Sequence, residues 1–168
     1  MMERTSAVSL NTKETEIQIS LNLDGSGKAD IQTGIGFFDH MLNSFARHGF
    51  FDLTVKVKGD LEVDTHHTIE DTGIVLGQAI KQAVGDKKGI VRYGSQILPM
   101  DESLVLCAMD LCGRPYLVYD LDLDREKVGD LETEMVREFF YAVSYAAEMN
   151  LHIRQMAGMN NHHIIEAA

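Results

Sequence analysis

Four of the seven histidines stand in two adjacent pairs, and each pair is followed by a glutamate: His66-His67-Thr68-Ile69-Glu70 and His162-His163-Ile164-Ile165-Glu166. On a helix turning about 100° per residue, Glu70 projects about 40° from His66 and about 60° from His67, on the other side. Either imidazole can share an ion with the carboxylate. The two imidazoles themselves diverge by about 100° and do not readily face one ion. Each motif is therefore expected to feed two different ions, and the two motifs to supply six ligands to a pair of sites. Octahedral ions need more, which directs attention upstream. His40 lies 26 residues before His66, and Glu138 lies 24 residues before His162. Their surroundings, Phe37-Phe38-Asp39-His40-Met41-Leu42 and Val136-Arg137-Glu138-Phe139-Phe140, match in place and in apolar pattern. His40 and Glu138 are thus candidates for equivalent roles. Imidazole with carboxylate and no thiolate suits Mn²⁺, Fe²⁺, Co²⁺ or Zn²⁺, and ligand type alone does not choose among them. One such motif alone is compatible with a solvated helix start carrying chance histidines. Two copies at matching positions argue for a metal site.

The elements that must position these residues follow from the periodicity. Ile17, Ile19, Leu21 and Leu23 alternate as in a half-buried strand. Asp24–Gly27 turns the chain into a strand over Ala29–Thr33. Phe37 to His48 carries apolar residues at helical spacing and is closed by Gly49. A strand over Leu53–Val57, a short extended stretch over Leu61–Val63 and a helix from Thr65 to Val84 complete the first half. Gly85-Asp86-Lys87-Lys88-Gly89 is the one plausible joint. The second half has strands over Tyr93–Leu98, Leu104–Leu111 and Tyr116–Leu121, a helix over Glu132–Met149, a strand over Leu151–Met156, and a helix opening at Asn160. Both halves run through the same programme and end on a two-histidine helix, a repeat of architecture rather than of letters. The expected fold is α+β: a single domain over 1–168, a two-layer α/β sandwich of two pseudo-repeated modules, 1–89 and 90–168. Each module has a mainly antiparallel sheet with helices on one face.

Composition bounds the rest. At 168 residues, with 45% hydrophobic and 24% charged residues, one globular domain is expected. A net charge of −11 weighs against non-specific nucleic-acid binding, which needs a basic footprint. It leaves room for a phosphorylated metabolite held by a few local cations. The absence of an apolar run or signal-like start makes a cytoplasmic protein without membrane contact the expectation. Cys107 and Cys112 are five apart and expected to be reduced. Methionines such as Met41, Met135 and Met156 are expected in the core, and His152 as a structural histidine in an apolar strand.

Four stretches carry a family resemblance: Gly34–Leu42, Asp64–Asp71, Leu111–Tyr116 and Asn160–Ala167. They resemble the signature segments of imidazoleglycerol-phosphate dehydratases, in order and over essentially the whole chain. The resemblance implies two Mn²⁺ ions per active site, and a homo-oligomer of 24 subunits built from trimers, with sites between subunits. It also implies the reaction: D-erythro-imidazoleglycerol phosphate loses water to give imidazoleacetol phosphate, a step of L-histidine biosynthesis. The proton to be removed sits on a carbinol carbon with no adjacent carbonyl. A substrate ring held by both nitrogens as a metal-bound imidazolate would expel the neighbouring hydroxyl and acidify that C–H. His40, His66, His67, Glu70, Glu138, His162, His163 and Glu166 would hold the metals. By the same resemblance Glu14 is the acid–base and a substrate contact, and Arg92 and Arg114 grip the phosphate. From the residues alone, Glu14 reads as a solvated charge, Arg92 as surface and Arg114 as turn chemistry beside Pro115. Some relatives have histidine at position 138, and relatives continue past Ala168 with a lysine and a Ser/Lys tail. The second module is accordingly expected to be truncated in its last helix.

The rival enzymatic reading is a di-metal hydrolase of a small phosphorylated metabolite, which would use open coordination positions for water. A metal-binding storage or structural assembly would bind ions without turnover.

Overall fold

A computed structural model describes residues 4–168. The first sheet contains β1 (Thr5–Asn11), β2 (Thr15–Asn22), β3 (Ala29–Gln32) and β4 (Asp52–Gly59), in the spatial order β1-β2-β4-β3. The second contains β5 (Tyr93–Met100), β6 (Ser103–Asp110), β7 (Tyr116–Asp120) and β10 (Asn150–Ala157), in the order β5-β6-β10-β7. The two orders are the same order. In each sheet the last pair, β3 with β4 and β7 with β10, is parallel and the others are antiparallel. A two-stranded hairpin of β8 (Lys127–Val128) and β9 (Leu131–Glu132) stands between β7 and the third helix.

Four helices line the inner faces: α1 (Gly36–Gly49), α2 (His66–Val84), α3 (Glu134–Ala146) and α4 (Asn161–Ala167). α2 packs on β1, β2 and β4, α3 on β7 and β10, and the two helices pack on each other. The modules therefore join helix to helix. Small residues allow the close approach: a Cβ on Gly77 would lie 2.6 Å from the Val143 carbonyl oxygen, and one on Gly73 2.9 Å from that of Phe139. The core follows the strand alternation, with Ile17, Ile19 and Leu21 of β2 and Val55 of β4 buried under Ile69, Val75 and Leu76 of α2.

Several details differ from the periodicity. β1 was not expected; its inward residues, Val8 and Leu10, are too few to mark a strand by alternation. Leu61–Val63 forms a turn rather than an extended stretch, with the Val63 N–H donating to the Asp60 carbonyl. α1 is closed by Phe50 in the left-handed region (φ 58°), not by Gly49. α3 stops at Ala146, where the chain turns back into β10. Met135 is buried, but Met156 and His152 face outward. Cys107 and Cys112 are free, and burial pushes the Cys107 thiol pKa up. Among the described residues no helix is long and apolar enough to cross a membrane.

Candidate functional site

Both histidine motifs open a helix, and the same device starts each one. Two residues before each pair a side-chain oxygen accepts the backbone N–H of the first histidine: Asp64 Oδ1 from His66 at 2.8 Å, Asn160 Oδ1 from His162 at 3.0 Å. The i,i+4 pairs then meet. His66 Nε2 lies 3.3 Å from Glu70 Oε2, and His162 Nε2 lies 3.2 Å from Glu166 Oε2. In each motif the second histidine turns to a different neighbour, as the 100° divergence requires.

α1 delivers a third group to the second motif. His40 Nε2 is 3.8 Å from Glu166 Oε2, and its ring centroid is 5.7 Å from that of His162. Phe37, whose own ring is buried, sits edge-on to both imidazoles and fixes their spacing. His40, His162 and Glu166 present ligand atoms all within 4.8 Å of one another. Asp130, in the β8–β9 turn, accepts the N–H groups of Gly36 and Phe37 at 2.6 and 2.9 Å, which anchors the start of α1 to the second module. Among the described residues no other set of three assembles in this way. Glu138, the counterpart of His40, pairs instead with Arg137 at 3.1 Å, and leaves His66 and Glu70 as a pair.

His67 and His163 are each held by an acid. Nδ1 of His67 is 2.9 Å from Asp60 Oδ2, and Nδ1 of His163 is 2.7 Å from Glu102 Oε2. These hydrogen bonds raise the pKa of both imidazoles. The Glu102 carboxyl, which also accepts the Asn160 N–H, is held down at about 2.

Glu14 occupies the turn between β1 and β2. Thr12 Oγ1 accepts its N–H and that of Thr15, and the Thr15 hydroxyl donates to Asp71 on α2 at 2.5 Å. The turn is thereby pinned beside the first histidine motif, and the Glu14 charge acts on His67. Among the described residues the Glu14 carboxylate itself makes no hydrogen bond or ion pair. At the far end of β6, Arg92 donates through Nε and Nη2 to Asp110 at 2.5 and 2.9 Å, and lies over the Tyr93 ring. Arg114, in the following turn, acts on the same Asp110.

The family profile described as "Imidazoleglycerol-phosphate dehydratase" matches residues 33–168. The chain belongs to the imidazoleglycerol-phosphate dehydratase family. An imidazoleglycerol-phosphate dehydratase from Lachnoclostridium phytofermentans is 69% identical over 99% of this chain and 85% of its own length. One from Acetivibrio thermocellus is 64% identical over the same shares. The crystal structure of the Staphylococcus aureus imidazoleglycerol-phosphate dehydratase superposes with a TM-score of 0.87 at 40% identity, covering 97% of this chain and 90% of that one. That of the Pyrococcus furiosus protein in complex with (S)-C348 gives 0.84 at 33% identity, covering 96% and 86%.

Within this dehydratase-family chain, the structure brings together His40, His162 and Glu166. It pairs His66 with Glu70 and sets His67 beside Glu14. It does not bring Glu138 to His66, and it keeps Arg92 and Arg114 with Asp110. Asp60, Glu102 and Asp110 were missed by sequence reasoning. Asp60 precedes His67 by seven residues and Glu102 precedes His163 by 61. Only their places beside strand ends, where a side chain reaches the adjoining helix start, offered a signal. Lys87 was read only as part of a joint. Its Nζ stands 3.4 Å from where a Gly113 Cβ would be, beside Arg114.

Proposed function

We propose that this chain is a cytoplasmic, metal-dependent imidazoleglycerol-phosphate dehydratase of histidine biosynthesis. The observation that carries the reading is the convergence of His40, His162 and Glu166 from two helices of different modules. Two imidazoles and a carboxylate, with no Lys or Arg paired to that carboxylate among the described residues, are the donor set of a borderline or hard divalent ion. They fit Mn²⁺. His66 and Glu70 are two members of a second such set, with Glu138 as the candidate third. A bound cation would supply Lewis acidity to the imidazole nitrogens of the substrate.

The chain's own residues do the rest. The reaction removes a proton from the middle carbon of the three-carbon chain and a hydroxyl from the carbon next to the ring. The enol formed takes a proton at the ring-side carbon to give the ketone. Glu14, unpaired and pinned by Thr12 and Thr15, takes the first proton and returns one to the ring-side carbon. Arg92 keeps an unused guanidinium nitrogen, Nη1, and with Arg114 it binds phosphate.

One distance argues for assembly. Glu102 and His163 lie at the start of β6, and Arg92 and Arg114 at its end. Seven residue steps of about 3.3 Å separate Ser103 from Asp110 by roughly 23 Å. A three-carbon chain cannot bridge that, so the arginines of one copy serve a site on another. We therefore propose a homo-oligomer with active sites shared between subunits, a 24-subunit particle by resemblance to the family, each site holding two Mn²⁺. The test is incubation of the Mn²⁺-loaded protein with imidazoleglycerol phosphate, with metal analysis of the same sample. Imidazoleacetol phosphate and two Mn²⁺ per chain are expected. Release of inorganic phosphate without ketone would overturn the dehydratase reading.

A further inference from the structure

The acids that hold His67 and His163 come from places that do not correspond. Glu102 stands in the β5–β6 turn, directly before the buried Ser103 that opens β6. The same place in the first module, directly before the buried Thr15 that opens β2, belongs to Glu14. Asp60 instead follows β4. The corresponding stretch after β10, Gly158-Met159-Asn160-Asn161, holds no acid. In the first module Asp60 holds the second histidine by hydrogen bond, and Glu14 and Asp64 act on it by charge. In the second, Glu102 makes the hydrogen bond, Asp101 stays 3.8 Å from Nε2, and Asp101 and Glu166 act by charge.

We propose that Asp60 and Glu102 are the positioning residues of His67 and His163. An imidazole that donates Nδ1–H to a carboxylate presents Nε2 as a lone pair in a fixed direction, which is what a metal ligand needs. Asp60 is built for this. Its side chain is 18% exposed, one oxygen meets His67, and the other is buried without a hydrogen-bond partner. Among the described residues His67 is the one hydrogen-bond partner that keeps the carboxylate in that position. In the second module the hairpin acid is spent on the histidine, because the strand end offers none. Of the two hairpin acids, Glu102 holds an imidazole, and Glu14 makes no hydrogen bond or ion pair among the described residues.

This inference rests on the metal reading above, and the experiment separates the two. Mn²⁺ is titrated into the metal-stripped full-length protein, and free ion is followed by its EPR signal. For wild type, tight stoichiometric binding is expected. Asp60→Ala and Glu102→Ala should each weaken binding about 10- to 100-fold. Asp60→Asn can still accept the Nδ1–H and should recover most of the loss. Wild-type protein that binds no Mn²⁺ overturns the metal reading and this inference with it. Tight wild-type binding with equally tight binding by Asp60→Ala overturns this inference alone. If Asp60→Ala does not fold, Glu102→Ala decides the positioning claim in the same way, since Glu102 is exposed and its removal leaves no cavity.

Discussion

The first sheet turns Gln18 and Ser20 of β2, Thr54 and Lys56 of β4, and Asp30 and Gln32 of β3 outward. The second sheet, with the same strand order, turns out Ile97 and Pro99 of β5, Leu104, Leu106 and Ala108 of β6, and Val118 of β7, alongside Ser95, Asp120, His152 and Arg154. Leu106 has Ile97 on one side and Arg154 on the other. The inner faces must be apolar in both modules, because both cover helices. The outer faces are free to differ, and the second carries more apolar side chains than the first. The turn acids differ in the same spirit, Glu14 unpaired and Glu102 bound. One duplicated frame thus carries a polar outer face in one half and a more apolar one in the other.

The largest effect should come from separating the two turn acids. Glu14→Gln is expected to lower kcat by roughly 10²- to 10⁴-fold while bound Mn²⁺ stays stoichiometric, the loss typical of a removed general acid–base. Glu102→Gln keeps an acceptor for His163 and should cost far less. Steady-state rates with metal analysis compare them, and equal losses would erase the distinction between the modules.

Next in size is the test of the outer faces. Leu106→Glu places a charge in the apolar patch and should break the particle into smaller species, whereas Gln18→Glu, on the matching strand of the first sheet, should leave particle mass unchanged. Light scattering on the two variants reads this directly. A full-sized Leu106→Glu particle would show that the apolar face is not where copies meet.

Much of the frame was legible in the sequence, for reasons that differ by residue. Strong alternation at Ile17–Leu21 and helical spacing at Phe37–Phe45 follow from burial on one side, so those elements read clearly. The i,i+4 meeting of His66 with Glu70 and of His162 with Glu166 is set by helix geometry alone. His40 reached Glu166 only through the packing of α1 against α4, which spacing could suggest but not measure. The β8–β9 hairpin has two residues per strand, too few for any period, yet its Asp130 anchors α1. Asp60, Glu102 and Asp110 act across turns and strand ends, where contact depends on register rather than on sequence distance.

The smallest effect concerns a pair that the two modules share. Arg4, just before β1, is clasped by Asp24 after β2, its Nη2 2.6 Å from Oδ1, as Arg92 before β5 is clasped by Asp110 at the end of β6. If the clasp only closes a hairpin, the two should behave alike; if Asp110 also aims Arg92 at phosphate, they should part. Asp110→Ala is expected to raise KM for the phosphorylated substrate several-fold, and Asp24→Ala to leave it unchanged. Both should lower Tm slightly, since exposed ion pairs contribute little. Hydrogen bonds from the Arg4 guanidinium and then its backbone N–H hold the Asp24 carboxyl down at about 2. A carboxylate whose pKa is lower in the folded state stabilises it at pH above its unfolded value of about 4 and loses that contribution as pH falls towards 2. The Tm gap between wild type and Asp24→Ala should therefore be present at neutral pH, narrow below about pH 4 and close near pH 2. A gap that persists at pH 2 would mean that Asp24 acts through packing rather than through its charge.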